Sequence, residues 1–127
     1  TIVALMGQII HVYVGVTETK IEEMKINKYE VEKVFSIPVS YFEQNRPEEH
    51  SIMVKSYPSY IDENTKEEVV LLPSKELNLP ERYHKPWGNF KQKILVYKTD
   101  EGVIWGITAR IIADFISKTL LGEVFSK

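Results

Sequence analysis

The sequence predicts an α+β domain with a mixed sheet and a C-terminal helix. Three observations point there. Short runs rich in β-branched residues recur along the chain and are bounded by turn residues. "PVSYFEQN" reads as a short helix opened by a proline. "VIWGITARIIADFISKTL" passes from a strand pattern into an amphipathic helix with no loop between them.

The elements follow in chain order. Residues 1–17 read as two β-rich runs broken by "MGQ", with Ile9, Ile10, Val12, Val14 and Val16 favouring strand. Gly15 inside that run predicts a bulge or a close backbone approach. "NKYEVEKVF", residues 27–35, reads as a short helix. Asn27 is placed to cap it, Glu30 stands where a capping-box partner belongs, and Val31, Val34 and Phe35 share a face. Ile37 precedes a proline and is expected to be extended. Pro38 then opens the second helix.

Residues 51–57 and 67–72 read as a strand pair joined by the polar loop "PSYIDENTKE". Residues 73–91 hold three prolines and no clean periodicity, which predicts an irregular surface excursion. "QKILVYK", residues 92–98, reads as a strand, "TDEG" as its turn, and "VIWGI" as the return strand. Thr108 is placed to cap the last helix, whose apolar face carries Ile111, Ile112, Phe115, Ile116 and Leu120, with Gly122 as its stop. Gly106 supplies the turn into that helix. Trp105 is expected to anchor the joint in the core, because large aromatics dominate cores.

Composition limits the function classes. The chain has 127 residues, enough for one small domain (1–127). Sixteen Lys and Arg stand against eighteen Asp and Glu, for a net charge of -2. That balance disfavours a nucleic-acid partner, since such domains carry a basic excess. There is no cysteine, hence no disulfide framework and no thiolate metal site. This fits a cytoplasmic protein. No run is long and apolar enough to span a membrane. The chain opens inside apolar sequence, "TIVALMGQIIHVYVGV", which leads us to expect a fragment or a processed chain.

Few residues are spaced for chemistry. His11, His50 and His84 stand far apart, without the spacing of metal ligands. His11 is expected half-buried in a strand, and His50 and His84 solvated in loops. Carboxylates gather at Glu22, Glu23, Glu30 and Glu32, at Glu48 and Glu49, and at Glu67 and Glu68. Each group reads first as a solvated face, although a hard cation would accept one or two of them. Glu30 has the second reading of a capping-box residue. Arg110, just after Thr108, is placed to meet an anion at the helix start or to serve as a surface ion pair. No nucleophile elbow and no phosphate-loop signature is present.

Three stretches in order carry a resemblance. "GQIIHVYVG" (Gly7–Gly15) resembles the strand that follows the Nudix box in Nudix hydrolases of the coenzyme A pyrophosphatase type. "NKYEVEKVFSIPVSYF" (Asn27–Phe42) resembles the next segment of that group, with Val39 in place of the usual Leu. "VIWGITARII" (Val103–Ile112) resembles its strand-to-helix junction. The likeness extends over nearly the whole chain and is weakest from Tyr57 to Lys91.

The Nudix box itself, G-x5-E-x7-R-E-U-x-E-E-x-G-U, is not in these residues. The resemblance therefore implies the C-terminal portion of a Nudix hydrolase, a partial α/β/α sandwich, with the box lying before Thr1. The implied activity of the parent protein is hydrolysis of the diphosphate of coenzyme A or a related nucleotide, with Mg²⁺ or Mn²⁺ held by box glutamates. These residues alone would be inactive and would hold no metal tightly. Some Nudix enzymes take a further metal ligand or base from a Glu beyond the box, and Glu30 is the residue assigned that role, both catalytic and metal-binding. Tyr57, Tyr60, Tyr83 and Trp87 are candidates to stack on an adenine or to anchor their loop by packing. ADP-ribose or dinucleoside polyphosphates are alternative substrates, and a non-catalytic binding or oligomerisation module is the alternative class. A sheet deprived of its neighbouring helix would expose apolar surface, so a homo-oligomer is expected, exchanging elements between copies.

Overall fold

A computed structural model describes residues 2–3 and 7–120. The fold is α+β, with small sheets and a C-terminal helix, as the sequence predicts. In order the elements are β1 (Ile2–Val3), β2 (Ile9–Ile10), α1 (Val39–Gln44), β3 (Glu48–Ser56), β4 (Ser59–Ile61), β5 (Glu68–Val70), β6 (Trp87–Thr99), β7 (Gly102–Trp105) and α2 (Gly106–Leu120). The hydrogen-bonded orders are β1-β2, β3-β6-β7 and β4-β5.

The residues group into two compact units. The first takes in the described residues up to His50 and those from Ile94 onward, and the second is Ser51–Lys93.

In the first unit β1 and β2 pair antiparallel, Ile2 opposite Ile10 and Val3 opposite Ile9. The strand ends at Ile10. Residues 11–20 form no regular element, so His11 is an exposed loop residue rather than a half-buried strand residue, and Gly15 is not a bulge. Val12 is half-buried, but Val14 and Val16 are exposed. Among the described residues no strand pairs with this segment, and β-propensity without a ladder does not hold a strand together.

The helix expected over residues 27–35 is a single turn at 28–30. Asn27 does start it: its Oδ1 accepts from the Tyr29 amide at 3.1 Å, and its carbonyl accepts from the Glu30 and Val31 amides at 3.0 and 2.8 Å. Propagation then fails. A nine-residue helix is marginal unless its apolar face is packed, and Val31 and Phe35 remain exposed.

Pro38 does open α1. Its φ of -58° is already suited to the start of a helix, and its carbonyl accepts from the Tyr41 amide at 3.0 Å. The hairpin β6–β7 also forms as predicted, with Thr99 opposite Gly102 and Val96 opposite Trp105, leaving Asp100 and Glu101 as the tip. It is longer than expected, because β6 begins at Trp87 rather than at residue 92.

The last helix begins at Gly106, two residues before Thr108, so Thr108 lies inside it and is not its cap. Gly106 has φ +66°, a left-handed conformation that suits glycine, and this lets the strand become a helix within one residue. Gly122 lies outside the described residues. α2 packs on α1 and on β7. The core of this unit is small: among the described residues the buried hydrophobics are Tyr97, Ala109 and Ile116. Ile111, Ile112 and Phe115 are half-buried, and Leu120 is exposed. Trp105 is 65% exposed, so it does not anchor the joint in the core. That role falls to Ala109, one turn along the helix.

In the second unit the strand pair differs from the sequence reading. β5 falls within the expected strand 67–72, but it pairs with β4, which lies in the expected loop, Ser59 opposite Val70 and Ile61 opposite Glu68. The turn is built on Asp62, whose Oδ1 accepts from the amides of Asn64 at 2.9 Å and Thr65 at 2.8 Å. Residues 73–86 are irregular, as predicted, apart from a 3-10 turn at Glu81–His84, and residues 71–72, expected in a strand, are irregular too.

Candidate functional site

Glu30 occupies the turn that follows Asn27 and is exposed. Its amide, rather than its carboxylate, makes the contact with Asn27. The segment after it is tied down by Lys33, whose Nζ lies 3.3 Å from Glu101 Oε2 and 5.5 Å from the centre of the Phe35 ring. Both contacts are at the surface, where a single pair adds little stability.

The carboxylates read as solvated faces mostly do that. Glu22 and Glu23 lie in an exposed 3-10 turn. Glu48 is engaged: its Oε1 lies 2.7 Å from Lys98 Nζ and its Oε2 2.9 Å from His50 Nε2. The hydrogen bond from Lys98, then that from His50, holds its carboxyl below the ordinary range of a glutamate. His50 therefore belongs to β3 and to this pairing, not to a solvated loop. Glu68 accepts from Ser59 Oγ at 2.6 Å across the β4–β5 hairpin. Among the described residues, no three His, Asp or Glu side chains converge in a way that could hold a metal ion.

Arg110 is the fifth residue of α2, because the helix starts earlier than expected. The leading amides of the helix belong to residues 106–109, and Arg110 follows them at the start of the second turn.

Of the four aromatics proposed for stacking or anchoring, two anchor. The Tyr83 and Trp87 rings meet edge to face at 5.3 Å, and the Arg82 guanidinium lies over Tyr83 at 4.6 Å while its Nη2 donates to the Tyr83 hydroxyl at 2.7 Å. Tyr57 and Tyr60 are exposed, at 60% and 49%.

His84 departs from the sequence reading. It is half-buried, and its Nε2 is shut off from solvent with no hydrogen-bond partner among the described residues. Its flanks, Arg-Tyr before and Lys-Pro after, gave no sign of this. The only sequence signal is its position between two prolines in a stretch that has to close on itself.

No family model, no curated protein and no solved structure matches the chain. Among the described residues no helix is long and apolar enough to cross a membrane.

Proposed function

We propose that this chain is the C-terminal part of a Nudix-type pyrophosphohydrolase that cleaves the diphosphate of coenzyme A or a related nucleoside diphosphate derivative. The observation that supports this reading best is the junction at Trp105–Gly106. The resemblance rests most heavily on "VIWGITARII", and that stretch folds as a strand passing directly into a helix through a left-handed glycine. α1, from the second resembling segment, packs against the same helix.

The described residues do not themselves form a cation site. On this reading Mg²⁺ or Mn²⁺ is held by box glutamates outside these residues, and Glu30 adds a carboxylate from its exposed turn. Water contributes the oxygen that bonds to one phosphorus while the bridging P–O bond breaks, giving two phosphate monoesters.

The test is a substrate panel on the whole gene product: coenzyme A, ADP-ribose and a diadenosine polyphosphate, each with Mg²⁺. Release of an adenosine bisphosphate and a phosphopantetheine from coenzyme A is the expected result, with Glu30→Gln slowing it. Turnover of ADP-ribose alone would move the assignment to that substrate. No hydrolysis of any of the three would refute the reading.

A second reading has its own support. Tyr13 and Val16 are 89% and 101% exposed, and Ile9 and Val14 are 63% and 59% exposed. Apolar side chains gathered this way in one segment mark an association surface. The chain would then serve as a binding or assembly module, with no chemistry of its own. Catalysis by the whole gene product separates the two.

A further inference from the structure

We infer that this chain dimerises by pairing two copies of β3 edge to edge, antiparallel about a two-fold axis centred on Ile52. This rests on neither reading above, since β3 belongs neither to the resembling stretches nor to the apolar segment before Thr17.

β3 ends the order β3-β6-β7, so among the described residues one of its sides carries no neighbouring strand. On that side every second residue turns an amide and a carbonyl outward, a template for another strand. Natural edges are often guarded by proline, by short length or by charges set to repel. β3 has nine residues and contains neither proline nor glycine. The other edge strand, β7, has four residues and runs straight into α2.

The approach to β3 is open. Eight of its nine residues are exposed, so no covering layer blocks a second strand. Ile52 and Met53, on opposite faces, are among the exposed apolar side chains. A second copy would cover part of both and offer the same residues in return.

Charge selects the partner and the register. Facing residues of an antiparallel pair turn their backbone groups the same way, so two identical strands meet only where facing positions differ by an even number of residues. The register that uses the whole strand centres on Ile52. It sets Glu48 opposite the partner's Ser56, Glu49 opposite the partner's Lys55, His50 opposite the partner's Val54 and Ser51 opposite the partner's Met53. Two-fold symmetry makes the Glu49–Lys55 pair twice. Opposite charges placed this way stabilise a sheet. Glu48 already meets Lys98 and His50 of its own copy, so it faces the serine with its charge matched. No like charges face each other. A shift of two residues either way would put Met53 or Tyr57 opposite Glu49 and lose both pairs. This self-complementary pattern is what a second copy of β3 supplies. The product is one continuous sheet in the order β7-β6-β3-β3-β6-β7.

The experiment is sedimentation velocity on the full chain carrying Val14→Lys and Val16→Lys, which separates this contact from association through the apolar segment. At protein concentrations up to about 1 mM, a range that detects weak complexes, a monomer–dimer equilibrium is expected. Glu49→Lys alone, or Lys55→Glu alone, turns both attractive pairs into repulsive ones and should weaken the dimer roughly tenfold or more. Both reversals in one chain should restore it. So should an equal mixture of the two single variants, since each chain supplies the charge the other's facing positions then need. Both positions are exposed, so circular dichroism should show the fold unchanged. A monomer throughout leaves the edge to a strand of another protein and overturns the proposal. A dimer indifferent to the single reversals overturns it too, as do single variants that recover neither on mixing nor on combination.

Discussion

The ring of Phe42 meets the ring of Tyr97 edge to face, with centroids 5.0 Å apart and planes at 83°. Tyr41, its neighbour on α1, donates its hydroxyl to the carbonyl of Lys98. Two consecutive residues of a six-residue helix thus hold two consecutive residues of β6, one by packing and one by a hydrogen bond. Tyr97 is one of three buried hydrophobic side chains among the described residues. Phe42→Ala should therefore cost roughly 2–3 kcal/mol, below the figure for a fully buried Phe because Phe42 is only half-buried. Urea unfolding followed by tyrosine fluorescence measures it, and Phe42→Leu should recover part of the loss.

Acid should loosen the fold through two carboxylates. Glu48 is held below the ordinary glutamate range by Lys98 and then His50, and Asp62 below the ordinary aspartate range by the Thr65 and then the Asn64 amides. A depressed folded-state pKa contributes stability that is present above the unfolded pKa and is lost as pH falls through the folded one. The loss should fall below the ordinary carboxylate range, not near neutrality. Carboxyl resonances of the two residues, followed against pH, should titrate below the ordinary range of their residue types. Glu48→Gln should flatten the acid limb of the stability curve, and a limb unchanged by both Glu48→Gln and Asp62→Asn would contradict this assignment.

Gly106→Ala isolates a backbone effect. A Cβ there would meet no atom within 4 Å, so packing is not disturbed. The cost is that of the left-handed conformation alone, about 1–2 kcal/mol. Gly106→Asn should cost less, because Asn tolerates that region better. Thermal melts of the three proteins should rank glycine, asparagine, alanine. If alanine melts with glycine, the junction has another conformation in solution.

The apolar segment before Thr17 predicts association. Light scattering should show species larger than a monomer, growing with concentration. Val14→Lys together with Val16→Lys should shift the distribution toward the monomer without lowering thermal stability, since neither side chain is buried. A monodisperse monomer for the unmodified chain would remove the assembly reading.

What was legible in the sequence is what local chemistry decides. The polar turn "TDEG" between two apolar runs is enough to specify the β6–β7 hairpin, and Pro38 is enough to start α1. Partner choice is not local. The sequence identified strands near residues 51–57 and 67–72 but not that β5 would pair with Ser59–Ile61, because strand propensity does not say which edge a strand meets. Asn27 supplied a helix start that the structure uses, yet one turn is all that forms without a packed face. Trp105 was misplaced because aromatic size argues for burial only when a second layer lies over it. Of the candidate site, Glu30 was reached through resemblance alone, and the buried nitrogen of His84 was not reachable, since it depends on how a proline-rich loop closes.

Because β7 ends at Trp105 and α2 starts at Gly106, no slack separates strand register from helix rotation. One residue inserted there would turn every following side chain by about 100° around the helix axis. Ala109 and Ile116 would leave the interior, and Thr108 and Phe115 would rotate into their places. The Asp62–Glu67 turn, by contrast, absorbs added length without moving either strand's partner. The molecule thus has one point at which chain length is fixed to the residue and one at which it is free. Insertions and deletions in natural variants of this chain should sort between them accordingly.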